Sequence, residues 1–257
     1  MPQCPYPCIY SGTGLFTPGP AGLKNDTPLS AVVDNTQLVD RWRALRAKLD
    51  SANVKLLAVS KYASDEAVRL LIEAGQRDFG ESRAQNLRHR AEKFPDVDWH
   101  MIGPLQKNKA KYIGRHAAMW HSAEDLNTAT AVAEHVHGRR LPVMLQVNVA
   151  GLIHQHGVSP EDLPGLFAQL GAIPRLEVRG LMCMAPKGGD ARGCFRSLRL
   201  LRDQLMNGSL RPPCAADSRA PRLELSMGMS GDYRIAIEEG ANIVRLGSVL
   251  FGPKRYV

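Results

Sequence analysis

Val54-Lys55-Leu56-Leu57-Ala58-Val59-Ser60-Lys61 is an apolar run closed by a lysine. Its length and composition predict a buried strand, and near-continuous apolar strands belong to parallel sheets covered on both faces. The C-terminal ends of such strands carry the chemistry of the fold, which places Lys61 in the cleft. Desolvation there would disfavour the ammonium form and make the amine a nucleophile toward an aldehyde. The segment alone also allows a lysine that leaves the strand and reaches water.

Outward from this run, strand-like and helical segments alternate to the end of the chain. Further strands are predicted over residues 77–81, 97–103, 117–122, 142–149, 176–184, 222–227 and 243–251. Helical spacing marks 64–75, 83–93, 106–115, 123–137, 160–170, 191–205 and 231–239 between them. An additional helix precedes the first strand, with Leu38, Trp42, Leu45 and Leu49 on one side. Eight strand–helix units in one α/β chain predict a single (β/α)8 barrel of the TIM type with an extra N-terminal helix. An open doubly wound sheet is the alternative, but no GxGxxG follows the first strand. Residues 1–30, rich in Pro, Gly, Ser and Thr, read as a flexible extension, and 31–257 as the barrel. The Pro-containing stretch 208–221 reads as a surface loop.

Composition narrows the classes. The chain has 257 residues, 44% hydrophobic and 23% charged, ordinary for a globular protein. No apolar stretch is long enough to span a membrane, and the N-terminus lacks a signal peptide's apolar core. Cys4, Cys8, Cys183, Cys194 and Cys214 are odd in number and form no CxxC pair, so a reducing cytoplasm is expected. The net charge of +8 permits contact with anions. The densest basic cluster, Lys107, Lys109, Lys111 and Arg115, has the spacing of a solvated helix face, and no nucleic-acid-binding motif accompanies it.

A barrel gathers its strand ends at one site. Those ends carry Lys61, Glu81, Ser82, Gly103, Asn148, Met182, Met184, Ser226 to Ser230, and Arg245 to Ser248. In Leu225-Ser226-Met227-Gly228-Met229-Ser230-Gly231-Asp232, Gly228 and Gly231 allow close backbone approach. The hydroxyls of Ser226 and Ser230, with helix N-terminal amides, suit a phosphate. Val244-Arg245-Leu246-Gly247-Ser248 adds amides and a cation. Ser230 could instead be only an N-cap, and Arg245 a structural ion-pair residue. A reactive lysine opposite a phosphate cradle predicts a phosphorylated aldehyde, and pyridoxal 5′-phosphate fits both ends. Arg245 at the pyridine nitrogen would keep that nitrogen unprotonated, making the ring a weaker electron sink than an aspartate partner would.

Six segments resemble the YggS/PROSC family of pyridoxal phosphate homeostasis proteins: Leu57 to Lys61, Phe79 to Ser82, Trp99 to Lys109, Val178 to Met182, Leu225 to Ser230, and Val244 to Gly247. They occur in the family's order from about residue 35 to the C-terminus, and the His-x-Ile-Gly-x-Leu-Gln-x-Asn-Lys run starting at His100 is the most specific. The resemblance implies a barrel like the alanine racemase N-terminal domain, with the cofactor on Lys61. It also implies phosphate contacts from Ser226, Ser230, Gly247 and Ser248, Arg245 at the ring nitrogen and Asn148 beside the ring. The chain departs from the family at Ser82, where asparagine is usual, and at Gln155, where lysine is usual. His154 and His156 lack a third metal ligand and read as solvated, and His100 reads as a satisfied barrel residue.

The expected function is therefore to hold pyridoxal phosphate as a Schiff base and pass it to apo-enzymes, without established catalysis, as a cytoplasmic monomer. The alternative is an amino-acid racemase. Racemisation needs an acid or base on each face of the substrate carbon. Tyr62 is the only tyrosine beside Lys61, and strand alternation would send it to the opposite side of the sheet.

Overall fold

The strands read from the sequence close into a ring in the computed structural model, which describes residues 35–208 and 222–252. Eight parallel strands follow one another around it: β1 (Lys55–Val59), β2 (Asp78–Glu81), β3 (Asp98–Met101), β4 (Met119–Ala123), β5 (Leu141–Gln146), β6 (Leu176–Met182), β7 (Glu224–Ser226) and β8 (Ile243–Leu246). β8 returns to β1 through the pairing of Leu56 with Val244, Leu57 with Arg245 and Ala58 with Leu246. Helix α1 (Asn35–Ser51) precedes the ring, as expected. Helices α2 (Asp65–Glu73), α3 (Ala84–Lys93), α4 (Ala110–His116), α5 (Leu126–Ala133), α6 (Leu163–Gly171), α7 (Ala191–Met206), α8 (Tyr233–Glu238) and α9 (Ser248–Phe251) follow successive strands. The expected extension at 1–30 and most of the 208–221 loop lie outside the described residues.

Local chemistry sets the helix starts. Ser64 accepts from Ala67 N at 3.2 Å, Asp125 from Thr128 N at 2.8 Å and Asp190 from Gly193 N at 2.8 Å. Asp65 and Glu66 add negative charge to the first turn of α2, where the helix dipole favours it. Helix α1 buries Leu38, Leu45 and Leu49, and its Trp42 donates to Gln76 Oε1 at 2.8 Å.

Two apolar layers result from strand alternation. Residues such as Phe79, Trp99, Met101 and Trp120 point outward into the large core under the helices. A smaller cluster of Leu57, Met144, Met182 and Ile243, flanked by Ile102, Met119 and Met184, fills the barrel interior. Each fully buried large apolar side chain contributes about 1.5–3 kcal/mol. Close backbone approach requires glycine at Gly180, where an added Cβ would lie 2.0 Å from Glu224 O on the neighbouring strand.

Several element ends fall a few residues from the sequence reading, and two of these differences bear on the site. The apolar run 243–251 is not one strand: it breaks at Gly247, and Ser248–Phe251 forms α9 with Leu250 buried. A continuous apolar run has no period, so it cannot separate a strand from a buried helical turn. β1 likewise ends at Val59, two residues before Lys61.

Candidate functional site

Lys61 stands at the C-terminal end of the ring, in a turn rather than in the strand. Ser60 N still donates to Gly80 O at 3.0 Å, and Ala63 N then donates to Ser60 O at 2.8 Å, closing a tight turn around Lys61 and Tyr62. The lysine is exposed, so the desolvation expected of it is not supplied by the protein alone. Leaving the strand also cancels the alternation argument for Tyr62: its ring centroid lies 5.4 Å from the Lys61 amine, and the side chain is 63% exposed.

Under this turn lies a buried carboxyl. Ser60 donates its hydroxyl to Glu81 Oε1 at 2.8 Å, and Glu81 is 1% exposed. Burial raises its pKa above the usual carboxylate value, and the Ser60 hydrogen bond and the charges of Arg90 and Lys61 oppose that rise only in part. Ser82, the next residue, is half-buried; an added Cβ on Gly103 would lie 2.3 Å from its carbonyl oxygen, so the β2 and β3 ends are in contact.

The segment expected to bind phosphate joins the same end. A Cβ at Gly247 would lie 3.4 Å from Val59 O, which puts the start of α9 beside the end of β1. Ser230 Oγ accepts from Gly247 N at 3.3 Å and from Val249 N at 3.2 Å, so its hydroxyl already gathers two amides. Ser248 is exposed at the same point. Gly228 has φ +91°, and a Cβ there would meet Ala236 Cβ at 2.6 Å, so only glycine fits the turn that brings Ser230 across. Around Gly231 there is open space.

Arg245 lies below this cradle, 4% exposed. Its Nη1 donates to Ser226 O at 2.7 Å and to Ser226 Oγ at 2.9 Å, and its Nη2 donates to Cys183 O at 2.8 Å. Burial lowers its pKa from the usual arginine value. No carboxylate forms an ion pair with it among the described residues, so the ion-pair alternative does not hold. Burial pushes the adjacent Cys183 thiol up to about 12, which leaves it inert. Ser226 is fully buried, and its hydroxyl is engaged by Arg245 and by His121 Nδ1 at 2.9 Å, behind the cradle.

Across the ring, Asn148 organises the loop after β5. Its Nδ2 donates to Leu152 O at 2.8 Å and Gln155 O at 3.2 Å. Gln155 Nε2 donates to Met184 O at 2.5 Å, tying the loop to the end of β6. A cavity of about 700 Å³ lies between this loop and Met184, Pro186 and Met229. Nearby, His156 Nδ1 lies 3.0 Å from Glu124 Oε1, while His154 is exposed. No group of three or more His, Cys, Asp or Glu residues that could hold a metal occurs among the described residues.

The site residues named from sequence thus gather at one barrel end, with Arg245 and Ser226 a layer deeper. Sequence reasoning missed His121, which nothing local marks, and the Ser60–Glu81 pair. The residues fit a phosphorylated pyridoxal: an accessible amine, a cradle of amides and hydroxyls beside it, and a buried cationic donor beneath.

Comparison with known proteins agrees. The family described as alanine racemase, N-terminal domain, matches residues 33–255. A pyridoxal phosphate homeostasis protein of Aquifex aeolicus is 37% identical over 209 residues, covering 79% of this chain and 88% of that one. A protein of the same name from Pseudomonas aeruginosa is 37% identical over 235 residues, covering 89% and 98%. The structure of PipY of Synechococcus elongatus with pyridoxal phosphate bound superposes with a TM-score of 0.72 at 34% identity, covering 84% of this chain and all of that one.

Proposed function

This chain belongs to the pyridoxal phosphate homeostasis proteins, within the wider family of the alanine racemase N-terminal domain, and from that premise we propose that it holds pyridoxal 5′-phosphate on Lys61 and releases it to apo-enzymes. One observation carries the proposal: the turn bearing the exposed lysine and the amide-lined start of α9 are immediate neighbours, joined where Gly247 meets Val59. When bound, the cofactor supplies an aldehyde that condenses with an amine to a Schiff base, and an aromatic ring that can take up electrons.

Every other part is played by the chain. Lys61 offers the amine. Ser230 and Ser248 hold the phosphate with the amides from Gly247 to Val249, of which those of Gly247 and Val249 would turn to it from Ser230 Oγ, with Gly228 setting the turn and Ser226 fixing Arg245 from behind. Arg245 donates toward the ring nitrogen and, as a cation, keeps protons off it, which weakens the ring as an electron sink and suits storage. Asn148 shapes the far wall, and Ser82 lines the side.

An exposed amine suits reversible loading, because both partners of the imine can be reached by water. Racemisation asks for groups on two faces of a carbon, whereas Tyr62 shares a turn with Lys61. The protein would work as a monomer in the cytoplasm, and Cys183 and Cys194 are free thiols, as a reducing setting allows. No helix among the described residues is long and apolar enough to cross a membrane.

A transfer assay tests the proposal. Loaded protein is mixed with an apo-enzyme that needs pyridoxal phosphate, in the presence of a scavenger of the free aldehyde. Recovery of activity beyond what equal free cofactor gives supports delivery; recovery no greater than that leaves delivery without support.

A further inference from the structure

Strand alternation turns His100 and His121 inward, opposite to Trp99, Met101 and Trp120, which face the helices. Both histidines are buried, at 2% and 0% exposure, among the apolar side chains of the barrel interior. A buried polar group is costly unless it is hydrogen-bonded, so their partners can be counted in full. His100 Nε2 lies 3.2 Å from Asp78 Oδ1, and His100 Nδ1 lies 2.9 Å from His121 Nε2. His121 Nδ1 lies 2.9 Å from Ser226 Oγ, and Arg245 Nη1 reaches that same oxygen at 2.9 Å. Asp78 also takes Lys55 Nζ at 3.2 Å, at the partly exposed N-terminal face of the barrel.

With both rings neutral, the chemistry of the two ends sets the direction of every bond between them. A carboxylate only accepts, so His100 donates from Nε2 to Asp78. A neutral His100 then accepts at Nδ1, which requires His121 to donate from Nε2. A neutral His121 accepts in turn at Nδ1, which takes the Ser226 proton. The Ser226 oxygen remains to accept from Arg245, which only donates. With both rings neutral, one assignment satisfies all four links, each ring protonated at Nε2. Burial above all, and the neighbouring charges of Arg245 and Lys55, hold His121 well below the usual histidine pKa, in agreement with a neutral His121 ring.

We propose that His121 and His100 are positioning residues for Arg245: with Ser226 they form a one-way hydrogen-bond relay that ties the guanidinium to the Asp78 carboxylate at the opposite end of the barrel. The relay solves a specific problem. A carboxylate in direct contact would hold Arg245 in place but would cancel its field. Three intervening hydrogen-bonding groups fix the orientation of the guanidinium and balance its charge from a distance, leaving its positive field for the ligand face. What that face meets rests on the cofactor reading above; the relay itself does not.

The first test is on the cofactor-free full chain. Long-range nitrogen–proton spectra of the histidine rings at neutral pH are predicted to show His100 and His121 neutral and protonated at Nε2. A proton on Nδ1 of His121, or a charged ring, would overturn the relay. The second test is cofactor uptake by Ser226→Ala, Ser226→Thr and Asp78→Asn. Cutting the link with Ser226→Ala is predicted to raise the half-saturating pyridoxal phosphate concentration on the order of tenfold and to move its visible band. Ser226→Thr, which keeps the hydroxyl, restores both. Asp78→Asn shifts the band from the far end of the barrel; this variant decides the matter if Ser226→Ala does not fold. Wild-type band and affinity in whichever of the two cut variants folds would overturn the proposal. Failure of the wild type to take up cofactor would count against the cofactor reading instead, and the ring spectra would still decide the relay.

Discussion

Ser60 donates its hydroxyl to Glu81 Oε1 at 2.8 Å, one residue before the lysine on which the function is proposed to turn. The other carboxyl oxygen, Oε2, is buried without a partner, and Arg90 Nε stands 4.0 Å from Oε1. The pair therefore anchors the Lys61 turn with a group that favours its neutral form.

Glu81 binds its proton more tightly in the folded than in the unfolded chain, so its contribution to stability is present in full below the ordinary glutamate value of 4.5 and is lost as pH rises through the folded value. Glu81→Gln keeps the acceptor for Ser60 without the charge. The wild type is expected to lose stability relative to this variant as pH rises from about 4 to 7. Urea midpoints of the two proteins across that range would check it, and a constant difference would refute it.

His121 runs the other way. Its proton is bound more weakly in the fold than in the unfolded chain, so its share of stability is present above the ordinary value of 6.5 and falls as pH drops below that toward the folded value. Because His100, Arg245 and Lys55 all face it, added salt is expected to soften this loss only slightly at such depth. Thermal melts of the cofactor-free protein from pH 7 to 5 at two salt concentrations test both statements. Stability that is flat over that range would show that the ring is not held neutral.

Ser230 and Ser248 are proposed to serve the phosphate, so their effect should depend on its presence. Ser230→Ala is expected to weaken uptake of pyridoxal 5′-phosphate roughly tenfold or more, the size of a hydrogen bond to a charged group, and to leave pyridoxal nearly unaffected. Equal losses for both ligands, read by titration, would mean that Ser230 acts only on the loop.

Two glycines should respond with opposite sign to the same substitution. Gly180→Ala drives a Cβ to 2.0 Å from Glu224 O and is expected to cost about 1–3 kcal/mol or more. Gly165→Ala, exposed in α6 with open space around it, is expected to stabilise by about 0.5–1 kcal/mol. Chemical denaturation of the two variants measures both.

The eight strands, the barrel and the N-terminal helix were legible because apolar runs and helical spacing are local signals. Leu38, Leu45 and Leu49 are buried as their spacing indicates. Boundaries were less legible. Ser60 and Lys61 extend the apolar run of β1 in sequence, yet the Ser60–Ala63 hydrogen bond turns the chain there and brings Tyr62 beside the amine. The segments proposed to hold phosphate carried their own signature of small residues at strand ends. The polar interior carried none: Asp78, His100, His121, Ser226 and Arg245 come from β2, β3, β4, β7 and β8, and only ring closure assembles them. His100 is indeed satisfied, by two partners distant in sequence.

The most direct measurement is the visible absorption spectrum of the purified protein after addition of pyridoxal phosphate, beside Lys61→Ala, followed by borohydride reduction and peptide mass analysis. The account predicts a visible Schiff-base band in the wild type, its absence in the variant, and reduced cofactor fixed on Lys61. A wild type without the band, or one whose reduced cofactor lies on another lysine, would contradict it.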